Sequence, residues 1–464
     1  MTTVRERSVL PLRDGVGTPS TTGPMLAGSL AIALLLFGTR WGSYIGYNGV
    51  VLLSDVLMTF AVLRTVIRSA RGNAALRPDV SSRSAPWALA ALGGYAVLRF
   101  VLGGDFSFAA IRDGAPYIYV LLGLLGFYAV RRATAAQRAR TAKLFVVALA
   151  AHAIWYTVVL ALPDLPTYLP LLNETQGVYV FSQRPDVDCA LIGVLAAYLL
   201  WRALRFRRYV PLLVVLYIAC WLPIALSLSR AGLLGAVVAS GFVLLLMLTD
   251  RRRPPLNRIA VGFVVVVAAL LGAGLVLSSD VGSKFIATVD PTAGTAATNE
   301  GEIGQGTARA RSNAWNHLVA WDFEDAGRAT VGVGFGPDFL RDSGSTVLLV
   351  GAALDEDVTP RSPHNYWLGS LSRLGTIGLA LLVATIAITL WRAWRSRSLL
   401  REDGFALIVA SIVYSLILPA SFGVVLESPF GAMPFWWSVG CVLGLATMAS
   451  ARPPKSGRPG FIRR

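Results

Sequence analysis

Apolar runs of about 17–25 residues, the length that crosses a hydrocarbon core as a helix, alternate along this chain with polar connections. Twelve such runs can be read, near 24–39, 46–63, 86–102, 114–130, 144–162, 187–201, 209–226, 231–249, 259–278, 365–390, 404–421 and 434–450. The pattern predicts an all-α polytopic membrane protein of about 12 transmembrane helices. Its widest polar gap falls between spans 9 and 10. The expected organisation is a cytoplasmic tail at 1–22, spans 1–9 within 23–278, an extracytoplasmic loop at 279–363, spans 10–12 within 364–450, and a second cytoplasmic tail at 451–464. The polar first 22 residues lack a small-residue cleavage site, so the first span reads as an uncleaved anchor.

Composition agrees. The chain has 464 residues, 55% hydrophobic and 15% charged, with a mean hydropathy of +0.60. A formal charge of +16 would suggest nucleic acid in a soluble protein, but here its distribution matters more than its sum. Most of the 42 Lys and Arg residues fall in alternate connections: the amino terminus, 64–83, 131–143, 202–208, 251–258, 392–401 and the carboxyl tail. By the positive-inside rule both termini and these connections are cytoplasmic, and the intervening loops face out. Topology accounts for the surplus, and no nucleic-acid partner is needed. Cys189, Cys220 and Cys441 all lie in apolar segments and read as packing residues.

Two outward connections are long. Residues 163–186 contain LPDLPTYLPLLNETQGVYVFSQRPD. In 279–363, a Gly/Thr/Ala-rich first half, DPTAGTAATNEGEIGQGT, reads as mobile. It is followed by RARSNAWNHLVAWDFEDAG, where Ala314, Trp315, Leu318, Val319 and Asp322 recur at helical spacing. That spacing predicts an amphipathic helix in the loop, at the outer surface. The stretch VGVGFG then reads as a glycine-rich turn; without a strand–helix context it is no dinucleotide fingerprint.

Polar groups in or beside spans are costly and are functional candidates by default. Arg230, in SLSRAG, sits at a short outer hairpin; it is either a snorkelling anchor or a fixed cation for an anionic headgroup. Arg309 and Arg311 open the loop helix. Arg309 fits a solvated face, whereas Arg311 shares a face with Trp315 four residues on. Arg184, in SQRPDVD, is placed to join them, and Arg112 in AIRDGAPY is a weaker candidate. Guanidinium suits phosphate oxygens because it keeps its charge and binds through a planar fork.

Of the three histidines, His152 lies mid-span and reads as packed, and His317 reads as solvent-facing. His364 differs: it precedes Asn365 where a helix begins. There the helix dipole disfavours imidazolium and leaves a base near neutral pH, although a plain capping role fits the same place. The first outward loop, TRWGSYIGYNG, carries no carboxylate pair of the kind metal-dependent lipid-sugar transferases use. The Asp355-Glu356-Asp357 run fits a solvated charge cluster better than a cation site.

Four features in order, LSLSRAGLLG at 226–235, Arg311 with the SNAW that follows it, VGVGFG, and HNYWLGSLSRLGTIGL at 364–379, resemble the O-antigen ligase / lipid-linked glycan polymerase superfamily. FSQRPDVDCALIG and LESPFGAMPFWWSVGCVLGL resemble flanking segments of that superfamily, so the likeness covers most of 105–445. The resemblance implies a metal- and cofactor-independent membrane glycosyltransferase, a ligase that moves a glycan from undecaprenyl-diphosphate to an extracytoplasmic acceptor. A polymerase of the same superfamily is the alternative reading, and a flippase or transporter is a more distant one. The resemblance assigns Arg230 and Arg311 to the donor diphosphate and His364 to the reacting centre; the residues themselves add Arg184 to the diphosphate group, with Asn365, Ser229 and Arg309 in support. One departure is Arg373, which stands where the family commonly has an acidic residue.

Overall fold

The structure is a computed structural model describing residues 23–38, 56–63, 84–173, 178–206, 209–227, 229–250, 299–350 and 361–450. Several expectations lie outside these residues: both tails, the first outward loop, most of 46–63, the ninth span at 259–278, the basic clusters at 64–83 and 251–258, and Asp355–Asp357.

Eight helices among the described residues are long and apolar enough to cross a membrane: Pro86–Gly103, Phe108–Arg132, Ala135–Ala161, Pro185–Arg205, Arg230–Leu248, Tyr366–Arg395, Gly404–Ser421 and Pro429–Ser450. They coincide with eight of the twelve predicted runs. The first and seventh runs are shorter apolar helices at Gly28–Gly38 and Val210–Leu226. Among the described residues the architecture is helical apart from a two-strand antiparallel ribbon in the 163–186 connection, with Leu171 opposite Tyr179 and Asn173 opposite Val178. We number helices α1 (Gly23–Gly38), α2 (56–63), α3 (Ser84–Gly103), α4 (Phe108–Ile118), α5 (Val120–Arg132), α6 (Ala135–Ala161), α7 (Pro185–Arg205), α8 (Val210–Leu226) and α9 (Arg230–Leu248). Then come α10 (Asn299–Glu324), α11 (Ala326–Val331), α12 (Phe339–Asp342), α13 (Ser345–Val350), α14 (Tyr366–Arg395), α15 (Arg397–Glu402), α16 (Gly404–Ile417) and α17 (Pro429–Ser450).

The last helix forms the centre. Trp436 and Trp437 of α17 are fully buried, and α17 meets α5 through glycines. A Cβ on Gly440 would collide with the Gly123 carbonyl, and one on Gly444 would press on Phe127 and Val130. In lipid, where apolar side chains gain little by leaving the solvent, such close backbone approach is a main source of helix affinity. The α7–α9 contact works the same way, with Gly193 against Ala236.

The helix ends are chemically distinct. α5, α7 and α14 end in Arg131 and Arg132, Arg202 and Arg205, and Arg392 and Arg395. Arg401 of α15 ties this end together: its Nε donates to Leu246 O at 2.8 Å, and its own carbonyl accepts from the Trp201 indole at 3.1 Å. The candidate residues stand at the opposite ends of α7, α9 and α14.

The loop helix forms with the predicted face inward: Ala314, Leu318 and Asp322 are all buried. It begins earlier than expected, at Asn299. Residues 299–307, expected to be mobile, are therefore helical, with Glu300, Glu302 and Gln305 as the helix-favouring residues between the glycines.

Candidate active site

Three helix starts and one loop helix build the site. Ser229 caps α9, its Oγ accepting from the Gly232 N–H at 3.2 Å, which makes Arg230 the first residue of that helix. Asn365 caps α14, its Oδ1 accepting from Trp367 and Leu368 N–H at 3.1 and 3.2 Å. Such caps satisfy backbone donors that a helix start leaves open. Arg184 precedes Pro185, the first residue of α7. Ser229 and Asn365, expected as supporting residues, are the N-caps beside Arg230 and His364.

His364 lies one residue before the Asn365 cap, with φ +55°. Left-handed backbone is uncommon for a residue with a Cβ, and the surroundings hold it. Its N–H donates to Ser362 Oγ at 3.0 Å. On one side of it the Pro363 carbonyl accepts from the Trp315 indole at 2.7 Å, and beyond it the Trp367 indole donates to Ser421 Oγ at 2.9 Å. Arg311 of α10 donates to the Phe422 carbonyl at 2.9 Å, so its guanidinium lies against the turn that follows α16.

Electrostatics shows these groups share one space. Burial lowers the His364 pKa below its ordinary value, the positive charges of Arg311 and Arg184 lower it further, and Asp186 opposes them. Burial likewise makes the Arg311 charge costlier, with Arg230 adding repulsion and Asp186 relief. Arg184 Nε stands 3.8 Å from Asp186 Oδ1. Arg184 and Arg311 thus act on His364, and Arg230 on Arg311, across 181 positions of sequence. Arg309 is exposed on the same helix.

The remaining candidates separate clearly. His152 is buried, with Nδ1 2.8 Å from the Phe37 carbonyl and Nε2 3.5 Å from Asp188 Oδ1, a packing arrangement. His317 is exposed and meets Ser345 Oγ at 3.3 Å. Arg112 is half-exposed, with Nε 3.8 Å from Asp113.

Two carboxylates escaped the sequence reading. Asp113 is the partner of Arg373, Nη1 to Oδ2 at 2.9 Å, and also receives Arg361 Nη2 at 2.6 Å. Arg361 further bonds the Gly336 and Pro337 carbonyls. The signal in AIRDGAPY was the acid beside Arg112. Glu427, in the turn before α17, has an Oε1 cut off from solvent and without a hydrogen-bond partner. Burial pushes its pKa up to about 7, against the Ser362 hydrogen bond and the charges of Arg373 and Arg184. Its signal was a lone acid in an apolar connection, LESPFG.

The glycine turn has a mechanical explanation. α14 breaks at Gly375, φ +66° and ψ −173°, leaving carbonyls without helical partners. Val333 N–H donates to Ser372 O at 2.8 Å and Gly334 N–H to Arg373 O at 3.0 Å. A Cβ on Gly375 would strike the Thr330 carbonyl, and one on Gly332, φ +75°, would strike Arg373. VGVGFG therefore caps a broken helix inside the protein, where non-helical backbone is tolerated at a membrane boundary.

Compared with known proteins, residues 215–383 match the family described as O-Antigen ligase. No curated protein matches the chain. The matched segment contains Arg230, Arg311, His364, the glycine turn and Arg373, whereas Arg184, Asp113 and Glu427 lie outside it. Over that segment the chain is similar to the O-antigen ligase-like superfamily.

Proposed function

We propose that the protein is a membrane glycosyltransferase that moves a glycan from a polyprenyl diphosphate to an acceptor on the outer side of the membrane. The observation that carries this reading is that Arg311 and Arg184 act on His364 while Arg230 acts on Arg311. A diphosphate is the chemical group that suits several converging guanidiniums. The arginine-rich ends of α5, α7 and α14, opposite the site, support an outward-facing site and cytoplasmic termini.

In this mechanism the bond between the anomeric carbon and the diphosphate oxygen breaks while the acceptor oxygen bonds the opposite face, with inversion. Negative charge grows on the departing diphosphate, and prearranged guanidiniums in a partly dry site stabilise it. The acceptor hydroxyl proton passes to the His364 imidazole, whose neutral form is favoured by burial and by Arg311. The indole bonds of Trp315 and Trp367 on either side of His364 fix its segment, so that little reorganisation is left for the reaction.

The test is reconstitution of the full chain in vesicles with a polyprenyl-diphosphate-linked glycan. A single transfer of the preformed glycan to an acceptor supports the ligase. A ladder of repeats would move the assignment to a polymerase of the same superfamily. Movement of labelled lipid across the membrane without transfer would contradict both. The glycan that accumulates on its carrier in a deletion strain identifies the natural donor.

A further inference from the structure

The arginine cluster contains a carboxylate that no step above uses. Asp186 is the second residue of α7, and its Oδ1 accepts the Val187 N–H at 3.0 Å while standing 3.8 Å from Arg184 Nε. Its Oδ2 lies against the turn after α16: a Cβ on Gly423 would come within 3.1 Å of it. The adjoining Phe422 carbonyl is the acceptor of Arg311 Nη1. Asp186 and Arg311 therefore meet at one turn, Phe422–Gly423, from two different helices. Around this carboxylate stand Arg184 from α7, Arg311 from α10 and His364 from the segment leading into α14, with Arg230 of α9 acting on Arg311.

From this placement we infer that Asp186 is a resident counter-anion. Its carboxylate holds Arg184 and Arg311 together in the donor-free protein and yields them when a diphosphate takes over their charge. The inference rests on the donor site proposed above and adds a positioning residue to it. A site of several guanidiniums left empty would splay by self-repulsion, and the electrostatic gain of binding would then be offset by reassembly. An internal carboxylate held at ion-pair distance, without the close geometry of a full salt bridge, keeps the cluster assembled and is displaced at modest cost. Released from the arginines, it remains beside His364 and balances the imidazolium that forms as the acceptor proton arrives.

Two consequences follow, of opposite sign. Asp186→Asn keeps the acceptor for the Val187 N–H, and so the start of α7, but removes the competing charge. It should bind farnesyl diphosphate, used as probe on the full chain in nanodiscs, about fivefold tighter than the wild type. Turnover should fall in the same variant, so KM and kcat drop together. Asp186→Glu retains the charge and should bind the probe no tighter than the wild type. Arg311→Lys, run alongside, should weaken probe binding and so locates the probe in the cluster. Unchanged or weaker binding by Asp186→Asn, with Arg311→Lys still weakened, overturns the counter-anion and leaves the donor site standing. Equal tightening in Asp186→Glu also overturns it, because charge would then not be the cause. Probe binding that ignores Arg311→Lys, or no binding to the wild type, overturns both readings.

Discussion

Two groups of arginines lie at the same end of this bundle and are held in different ways. Around Asp113, Arg361 and Arg373 each meet a carboxylate oxygen at 2.6 and 2.9 Å, and backbone carbonyls take further donors of both. Around His364, Arg184 stands 3.8 Å from Asp186, and Arg311 bonds a backbone carbonyl while feeling the like charge of Arg230. The first arrangement uses guanidinium as structure: it fastens α4, the glycine turn, the segment before His364 and the broken α14 to one buried acid. The second gathers like charges beside a histidine, which is what the proposed anionic substrate requires. Residue type is the same in both, and carboxylate distance separates the roles.

Breaking the contrast at its most sensitive point gives the largest expected effect. His364→Ala should lower transfer by about 10²–10⁴-fold, the usual worth of a general base, while the protein remains inserted and thermally unchanged. Turnover near the wild-type rate would remove the imidazole from the chemistry. On the structural side, Asp113→Asn leaves Arg361 and Arg373 facing a neutral amide in a buried node. It should cost about 3 kcal/mol of stability, read as a lower thermal midpoint in detergent. The corresponding Arg311→Asn change should leave the midpoint nearly unmoved, and equal losses in the two variants would erase the distinction.

A smaller effect sharpens the second group. Arg311→Lys keeps the charge and loses the planar fork, so KM for the donor should rise by about tenfold, with a lesser change in kcat. The smallest effect is a pH shift. In the proposed mechanism His364 works as the neutral base, so activity is lost as pH falls through its pKa, which lies below the ordinary histidine value. Arg311 disfavours imidazolium, and Arg311→Gln removes that repulsion and raises the pKa. The acid limb of kcat/KM should therefore move to higher pH than in the wild type. A limb that stays in place would mean that Arg311 and His364 do not sense one another.

Much of this was legible in the sequence, and the reasons differ by element. Spans were visible because lipid demands long unbroken apolar runs, and the face of α10 because Ala314, Leu318 and Asp322 recur at helical spacing. Arg230 and His364 stood out as candidates because charge beside a span is rarely idle. The partners were not. Asp113 and Arg373 are 260 positions apart, and nothing local in AIRDGAPY or SLSRLG announces their pairing. Glu427 was hidden for a similar reason: its importance comes from Ser362 and Arg373 closing over it, a tertiary fact. The glycine turn was recognised as a turn, but its task depends on the break at Gly375, which lies in an otherwise apolar helical run.

The central claim is that Arg230 and Arg311, brought together from α9 and α10, engage one diphosphate. A double-mutant cycle on farnesyl diphosphate binding tests it, using Arg230→Lys, Arg311→Lys and the pair. If both forks grip the same group, the losses are coupled by about 1 kcal/mol or more, and the double variant binds better than the product of the single losses predicts. Losses that simply multiply, or single variants that bind as the wild type does, would contradict it.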